Sequence, residues 1–195
     1  MDKSQNAEPK TMQPFCPAVQ PTLPGEVMAV LEEASPQGAR LRLLPTPGAM
    51  DTALSMVSAG RWKTSRYLIG KALYCKLSLF DPALGLWIDR DAPDCGQYRA
   101  AIPNAQRSEE AGSLYAAMRH FGFWGDIAAL PGLVFSAEQV HIQPVMQGQR
   151  VAGYRLAGRL IVSELQRGER GEIMGVTLRD TNGGAVQWQA ANRSA

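Results

Sequence analysis

Over residues 72–80 the side chains alternate with a period of two. Leu73, Cys75, Leu77 and Leu79 fall on one side, and Tyr74, Lys76, Ser78 and Phe80 on the other. An α-helix repeats about every 3.6 residues and cannot hold such a set on one face, so the segment is committed to a half-buried strand. Asp81-Pro82-Ala83 predicts a turn from it into a hairpin partner over residues 84–89. A second stretch is constrained in the same way. Met174, Val176 and Leu178 alternate before Asp180-Thr181-Asn182-Gly183-Gly184, and Val186 and Trp188 alternate after it. This predicts a hairpin whose turn holds Gly183 at positive φ.

The intervening chain is read as short helices and loops. From Pro24, the residues Val27, Val30 and Leu31 share a helical face, which predicts a helix ending before the turn cluster Ser35-Pro36-Gln37-Gly38. Leu41 and Leu43 suggest a short strand stopped by Pro45 and Pro47. A helix over residues 51–58 follows, with Gly60 as its C′ residue. Residues 89–107, with Pro93, Gly96 and Pro103, read as irregular. The clearest helix starts at Ser108 as its cap, with Glu109 and Glu110 near the positive end of the dipole. Leu114, Met118 and Phe121 form its apolar stripe, and Arg119, His120 and Gly122 close it. From Val134 onward strands are expected. The expected class is α+β, with short helices in the N-terminal half and middle and antiparallel sheet dominating the C-terminal third. Residues 1–22, with Pro14, Pro17 and Pro21, read as a flexible arm that Phe15, Cys16 and Val19 pin to the body. Residues 23–195 read as a single domain.

Charge is segregated along the chain. Residues 1–50 sum to −1, 51–80 to +4, 81–148 to −4 and 149–195 to +3. Two basic blocks therefore flank an acidic one, a layout that attracts a polyanion at one place and repels it at another. Cys16, Cys75 and Cys95 are widely spaced and include no C-x-x-C pair, so neither a disulfide framework nor a zinc site is expected. The first ten residues are polar, unlike a signal peptide, and no run approaches the ~18 apolar residues that span a bilayer. A cytoplasmic protein without a membrane partner is expected.

Residues 61–76 carry five cations, three aromatics and no acid. Arg61, Lys63, Arg66 and Lys71 suit phosphate contact, and Trp62 and Tyr67 suit stacking on a base or a ligand ring. Tyr154, Arg155 and Arg159 form a second candidate patch. Arg155 and Arg159 share a face in a strand and are i, i+4 neighbours in a helix. Catalytic residues are not identifiable. His120 suits a helix terminus, His141 a sheet face and Cys75 the core, while Cys95 lies beside Asp94, which opposes thiolate formation. Asp89, Asp91 and Asp94 miss the calcium-loop spacing, and no metal or cofactor is expected.

Two stretches resemble acyltransferases. Arg42-Leu43-Leu44-Pro45-Thr46 followed by Trp62-Lys63-Thr64-Ser65-Arg66-Tyr67 is similar to the paired motifs of acyl-homoserine-lactone synthases, with Lys63 where that family has a glutamate. Pro144-Val145-Met146-Gln147-Gly148-Gln149-Arg150-Val151-Ala152 is similar to the coenzyme A loop of GCN5-type acetyltransferases, with Arg150 in place of the central glycine. Either resemblance implies chemistry on a coenzyme A or acyl-carrier thioester. The residues themselves lead first to a binding protein whose basic-aromatic surface engages RNA or DNA, a nucleoprotein or an acidic protein. A protein-interaction subunit that adds strands at sheet edges is the further alternative.

Overall fold

The alternating segment at 72–80 is the central strand of a three-stranded antiparallel sheet, and its apolar side is buried beyond the partly exposed Leu73. Cys75, Leu77 and Leu79 are fully inside. The computed structural model describes residues 19–58, 60–181 and 183–190. After a 3-10 turn at Pro24–Glu26 come β1 (Val27–Ser35), β2 (Gly38–Pro45), α1 (Pro47–Ser58), β3 (Trp62–Ile69), β4 (Ala72–Asp81) and β5 (Leu86–Pro93). Next are α2 (Ala105–Arg119), α3 (Gly125–Ala128) and β6 (Leu133–Ser136). The chain then runs through β7 (Ile142–Gln147), β8 (Arg150–Leu156), β9 (Leu160–Arg167), β10 (Ile173–Asp180) and β11 (Ala185–Gln189).

The described residues form four small antiparallel sheets, ordered β1-β2-β6, β3-β4-β5, β7-β8 and β11-β10-β9. Leu41, Leu43 and Leu44 of β2 share one buried cluster with Leu77 and Leu79 of β4, Met118 of α2, Phe135 of β6 and Leu178 of β10. Helix α2 lies across β4 and β5.

The α+β expectation is corrected. Among the described residues strand makes up 48% and helix 20%, and helices do not dominate the N-terminal half. The error originates at residues 27–31. The run Val27-Met28-Ala29-Val30-Leu31 places Val27, Val30 and Leu31 on a helical face, yet it forms β1, paired with β2 from Val27↔Pro45 to Ser35↔Gly38. Met28, Ala29 and Leu31 also pack against the core, so the strand is apolar on both sides. A short run of that kind has no period with which to distinguish strand from helix.

Smaller boundaries shift for identifiable reasons. Helix α1 begins at Pro47 because proline loses nothing at the first helical position, and the Thr46 hydroxyl accepts from the Ala49 amide at 3.1 Å. Helix α2 begins three residues before Ser108. Asn104 caps it, accepting from the Arg107 amide at 2.9 Å, and Ser108 is buried within it. Strand β5 continues to Pro93, so part of the supposedly irregular stretch is sheet. Gly60 and Gly183 take positive φ as expected. Phe15 and Cys16 lie outside the described residues. Val19 packs on the core and Thr22 is buried. Among the described residues no helix is long and apolar enough to cross a membrane.

Candidate nucleic-acid interface

Strand geometry divides the basic-aromatic run. On β3, Lys63, Ser65 and Tyr67 share a face with Tyr74, Lys76, Ser78 and Phe80 of β4 and with Trp87, Asp89 and Asp91 of β5. Trp62 and Arg66 fall on the opposite face, the one on which Cys75, Leu77 and Leu79 are buried. The run therefore does not present its cations together.

The cations of the outer face are already engaged. The Lys63 ammonium lies 4.4 Å from the centre of the Trp87 ring, and the Arg61 guanidinium 5.3 Å from that of Phe80. Lys76 pairs with Asp89 at 2.6 Å and holds that carboxyl below its ordinary range, and the Ser78 side chain reinforces the effect. The Tyr67 hydroxyl donates to Asp91, which pushes the phenol up to about 12, while the ring stacks on Tyr74 with centroids 5.5 Å apart. Two carboxylates thus stand among the cations and oppose an approaching phosphate. Lys71 sits in the Gly70–Lys71 turn. Arg66 lines a cleft of about 410 Å³ with Met50, Asp51, Arg107, Glu110 and Leu114.

The second patch is built differently. β7 and β8 form a two-stranded ribbon joined by the turn Gly148–Gln149, where Gly148 supplies the positive φ that a tight hairpin requires. At its base Ile142 and Leu156 pack on the core, and β8 leans on β1. No described residue of either strand is fully buried. From residue 139 to residue 163 the chain contains no acid. Arg150 and Arg155 are exposed on β8, and Arg159 is exposed in the link to β9. Among the described residues none of the three makes an ion pair or a side-chain hydrogen bond.

The register decides which side chains act together. Gln143 faces Arg155 and Gln147 faces Arg150, whereas Ile142–Leu156 and Pro144–Tyr154 are the pairs of the other face. Val145 opposes Gly153 but Met146 opposes Val151, so Ala152 is an extra residue on β8. This bulge returns Arg150 to the face of Arg155, although five positions separate them. Tyr154 is half-buried on the opposite face. Arg159 lies beyond the strand, so it is neither the same-strand nor the helical neighbour of Arg155.

The sequence names Arg155 and Arg159 as a pair; the register instead sets Arg155 beside Gln143, and Arg150 beside Gln147, on one face of the ribbon. The acid-free run from 139 to 163 was the available signal. The bulge has no signature in the sequence.

The remaining candidates take ordinary places. His120 caps α2 at its C-terminus, and His141 is exposed just before β7. Cys75 is buried, which raises its thiol, and Cys95 is exposed with its sulfur 3.7 Å from the Pro93 carbonyl oxygen. Among the described residues no three His, Cys, Asp or Glu side chains gather as metal ligands. The loop that resembles a coenzyme A site is the ribbon's turn, and strand β8 follows it where a pyrophosphate site needs a helix N-terminus. Arg42 of the other acyltransferase-like stretch pairs with Glu32 at 2.5 Å. Comparison with family models, with curated proteins and with solved structures finds no match for the chain.

Proposed function

We propose that the protein binds nucleic acid, and that it does so through the β7–β8 ribbon more than through β3. The observation that carries this reading is the trio Arg150, Arg155 and Arg159. They are exposed and lack internal partners among the described residues; Arg150 and Arg155 sit on the hairpin and Arg159 just beyond it, in a stretch without a carboxylate. An unpaired guanidinium gains most from a phosphate, because it gives up only water to bind it. Lys63 and Lys76 already have an aromatic face and a carboxylate as partners.

Fluorescence anisotropy with labelled oligonucleotides over a range of salt concentrations tests the reading. Each phosphate contact adds about −0.9 to the slope of log affinity against log salt for duplex, and about −0.7 for single strands. Arg150→Ala, Arg155→Ala and Arg159→Ala are each expected to weaken binding, and Arg159→Ala, at the base of the ribbon, to flatten the slope by nearly one contact. Lys63→Ala is expected to change it less. Absence of binding to single- and double-stranded RNA and DNA at low salt overturns the reading.

One observation favours a second reading, a protein-interaction subunit. Strand β3 is the edge of its sheet, and beside that edge Leu68 and Ile69 are 68% and 57% exposed. Such an edge accepts an added strand, and a partner that protects the β3 amides from hydrogen exchange supports this alternative.

A further inference from the structure

We infer that the ribbon's partner is duplex DNA, entered from the major groove, with Gln143, Gln147, Arg150 and Arg155 facing the base edges. The inference rests on the nucleic-acid reading above and specifies its ligand. Three features of the ribbon lead to it.

The first is size. The major groove of B-form DNA is about 12 Å wide and admits a two-stranded ribbon, whereas the minor groove, about 6 Å wide, does not. Two strands lie about 4.8 Å apart, and six residues of β7 extend about 20 Å. The ribbon therefore fills one groove along roughly half a helical turn.

The second is the chemistry of one face. Its side chains from base to tip are the cross-strand pairs Gln143–Arg155 and Gln147–Arg150, with Val145 opposite Gly153 between them. Arginine binds the O6 and N7 of guanine in bidentate fashion, and glutamine binds the N6 and N7 of adenine. An apolar valine suits the thymine methyl group. Gly153 projects no side chain, and a Cβ there would meet nothing within 4 Å, so the centre of the face remains open to an approaching base edge. Lysine, the less geometrically selective phosphate binder, does not occur after Lys76.

The third is anchoring. Ile142 and Leu156 hold the ribbon's base against the core through the opposite face. Insertion therefore does not require the hairpin to be ordered from a free state, a cost that would weaken binding. Arg159 and His141, at the base and exposed, are placed for the flanking phosphates. A-form RNA has a deep, narrow major groove that side chains cannot enter, so duplex RNA is excluded as the preferred ligand. The apolar tip residues Met146 and Val151, 54% and 50% exposed, line the other face. With the arginines they also make an anionic lipid surface the competing occupant.

The test uses the full chain and four probes: a DNA duplex of mixed sequence, the RNA duplex of the same sequence, the single DNA strand, and vesicles of phosphatidylserine and phosphatidylcholine. The expected result is binding to the DNA duplex about tenfold or more tighter than to the other nucleic acids. Dimethyl sulfate footprinting should then show protection of guanine N7, in the major groove, and none of adenine N3, in the minor groove. Gln147→Ala should alter which sequences are preferred and leave the salt slope unchanged, while Arg159→Ala should flatten the slope and leave the preference unchanged. Equal affinity for all three nucleic acids, or protection of N3 without N7, overturns the inference and leaves the broader nucleic-acid reading standing. Vesicle binding without nucleic-acid binding overturns both.

Discussion

A methyl group added at Gly38 would lie 2.0 Å from the main-chain carbonyl oxygen of Phe135. Gly38 opens β2 and pairs with Ser136 of β6, so the missing side chain is what lets the two strands approach. A flexible side chain could rotate away from such a clash, but a carbonyl held in a sheet cannot. Gly38→Ala is expected to destabilise the protein by about 2–3 kcal/mol, in the range of overpacked interiors, read as a lower urea midpoint. An unchanged midpoint would show that β6 yields freely. At the same scale, Tyr67 illustrates why residue type alone is a poor guide to a site. Its ring suits stacking on a base in the sequence, and in the fold that ring stacks on Tyr74 while the hydroxyl is donated to Asp91.

Among its secondary-structure elements, this fold depends on the turns. Gly183 differs from Gly38 in that a Cβ added there would meet nothing within 4 Å, yet its φ is +91°. Gly183→Val therefore carries backbone strain without a clash, and the expected cost is about 1 kcal/mol or somewhat more. Thermal unfolding of this variant beside Gly25→Val, a site equally open but without positive φ, isolates the strain. Equal melting temperatures would refute its assignment to the turn. The hairpin around 180–184 was legible because alternation, turn residues and alternation occur in sequence, and each is a local signal. Strand β4 was legible for the same reason. Strand β1 was not, because the choice between strand and helix at Val27–Leu31 is made by pairing with β2 and burial on both sides, neither of which leaves a local period. In the candidate site, the absence of acid around Arg155 was visible, but the shared face of Arg150 and Arg155 depends on the bulge at Ala152.

Across the molecule, one polar node joins distant parts of the chain. Asp126, the second residue of α3, accepts from the Thr22 hydroxyl at 2.6 Å, from the Thr22 amide at 3.1 Å and from Arg167 of β9 at 2.8 Å. Arg167 also donates to the Thr22 and Gly171 carbonyl oxygens, each at 2.7 Å. Burial acts to raise the Asp126 carboxyl, and the bonds from Thr22, Arg167 and the Ile127 amide outweigh it, leaving the group below its ordinary value. A carboxyl depressed on folding contributes its full stability above the unfolded-state value, near about 3.9, and loses it as pH falls through the lower folded value. Asp126→Asn is expected to cost about 1–3 kcal/mol at neutral pH and to flatten the acid side of the stability profile. The side chains of the pair are still 24% and 19% exposed, which keeps the cost below that of breaking a fully buried ion pair. Chemical denaturation between pH 3 and 7 measures both effects, and a parallel profile for the variant would exclude Asp126 from the acid transition.

Four features were already settled by neighbouring residues: the alternation of β4, the turn at 180–184, the basic run at 61–76 and the acid-free stretch around Arg155. Each arises locally, through side-chain period, turn conformation or simple charge. Which of those features act together was a matter for the folded chain. Strand pairing divided the basic run between two faces of β3 and placed Asp89 and Asp91 among its cations. It also aligned Gln143, Gln147, Arg150 and Arg155 on one face of the ribbon. Cross-strand register is a contact between residues far apart in the chain, and a single extra residue reverses which face every later side chain occupies.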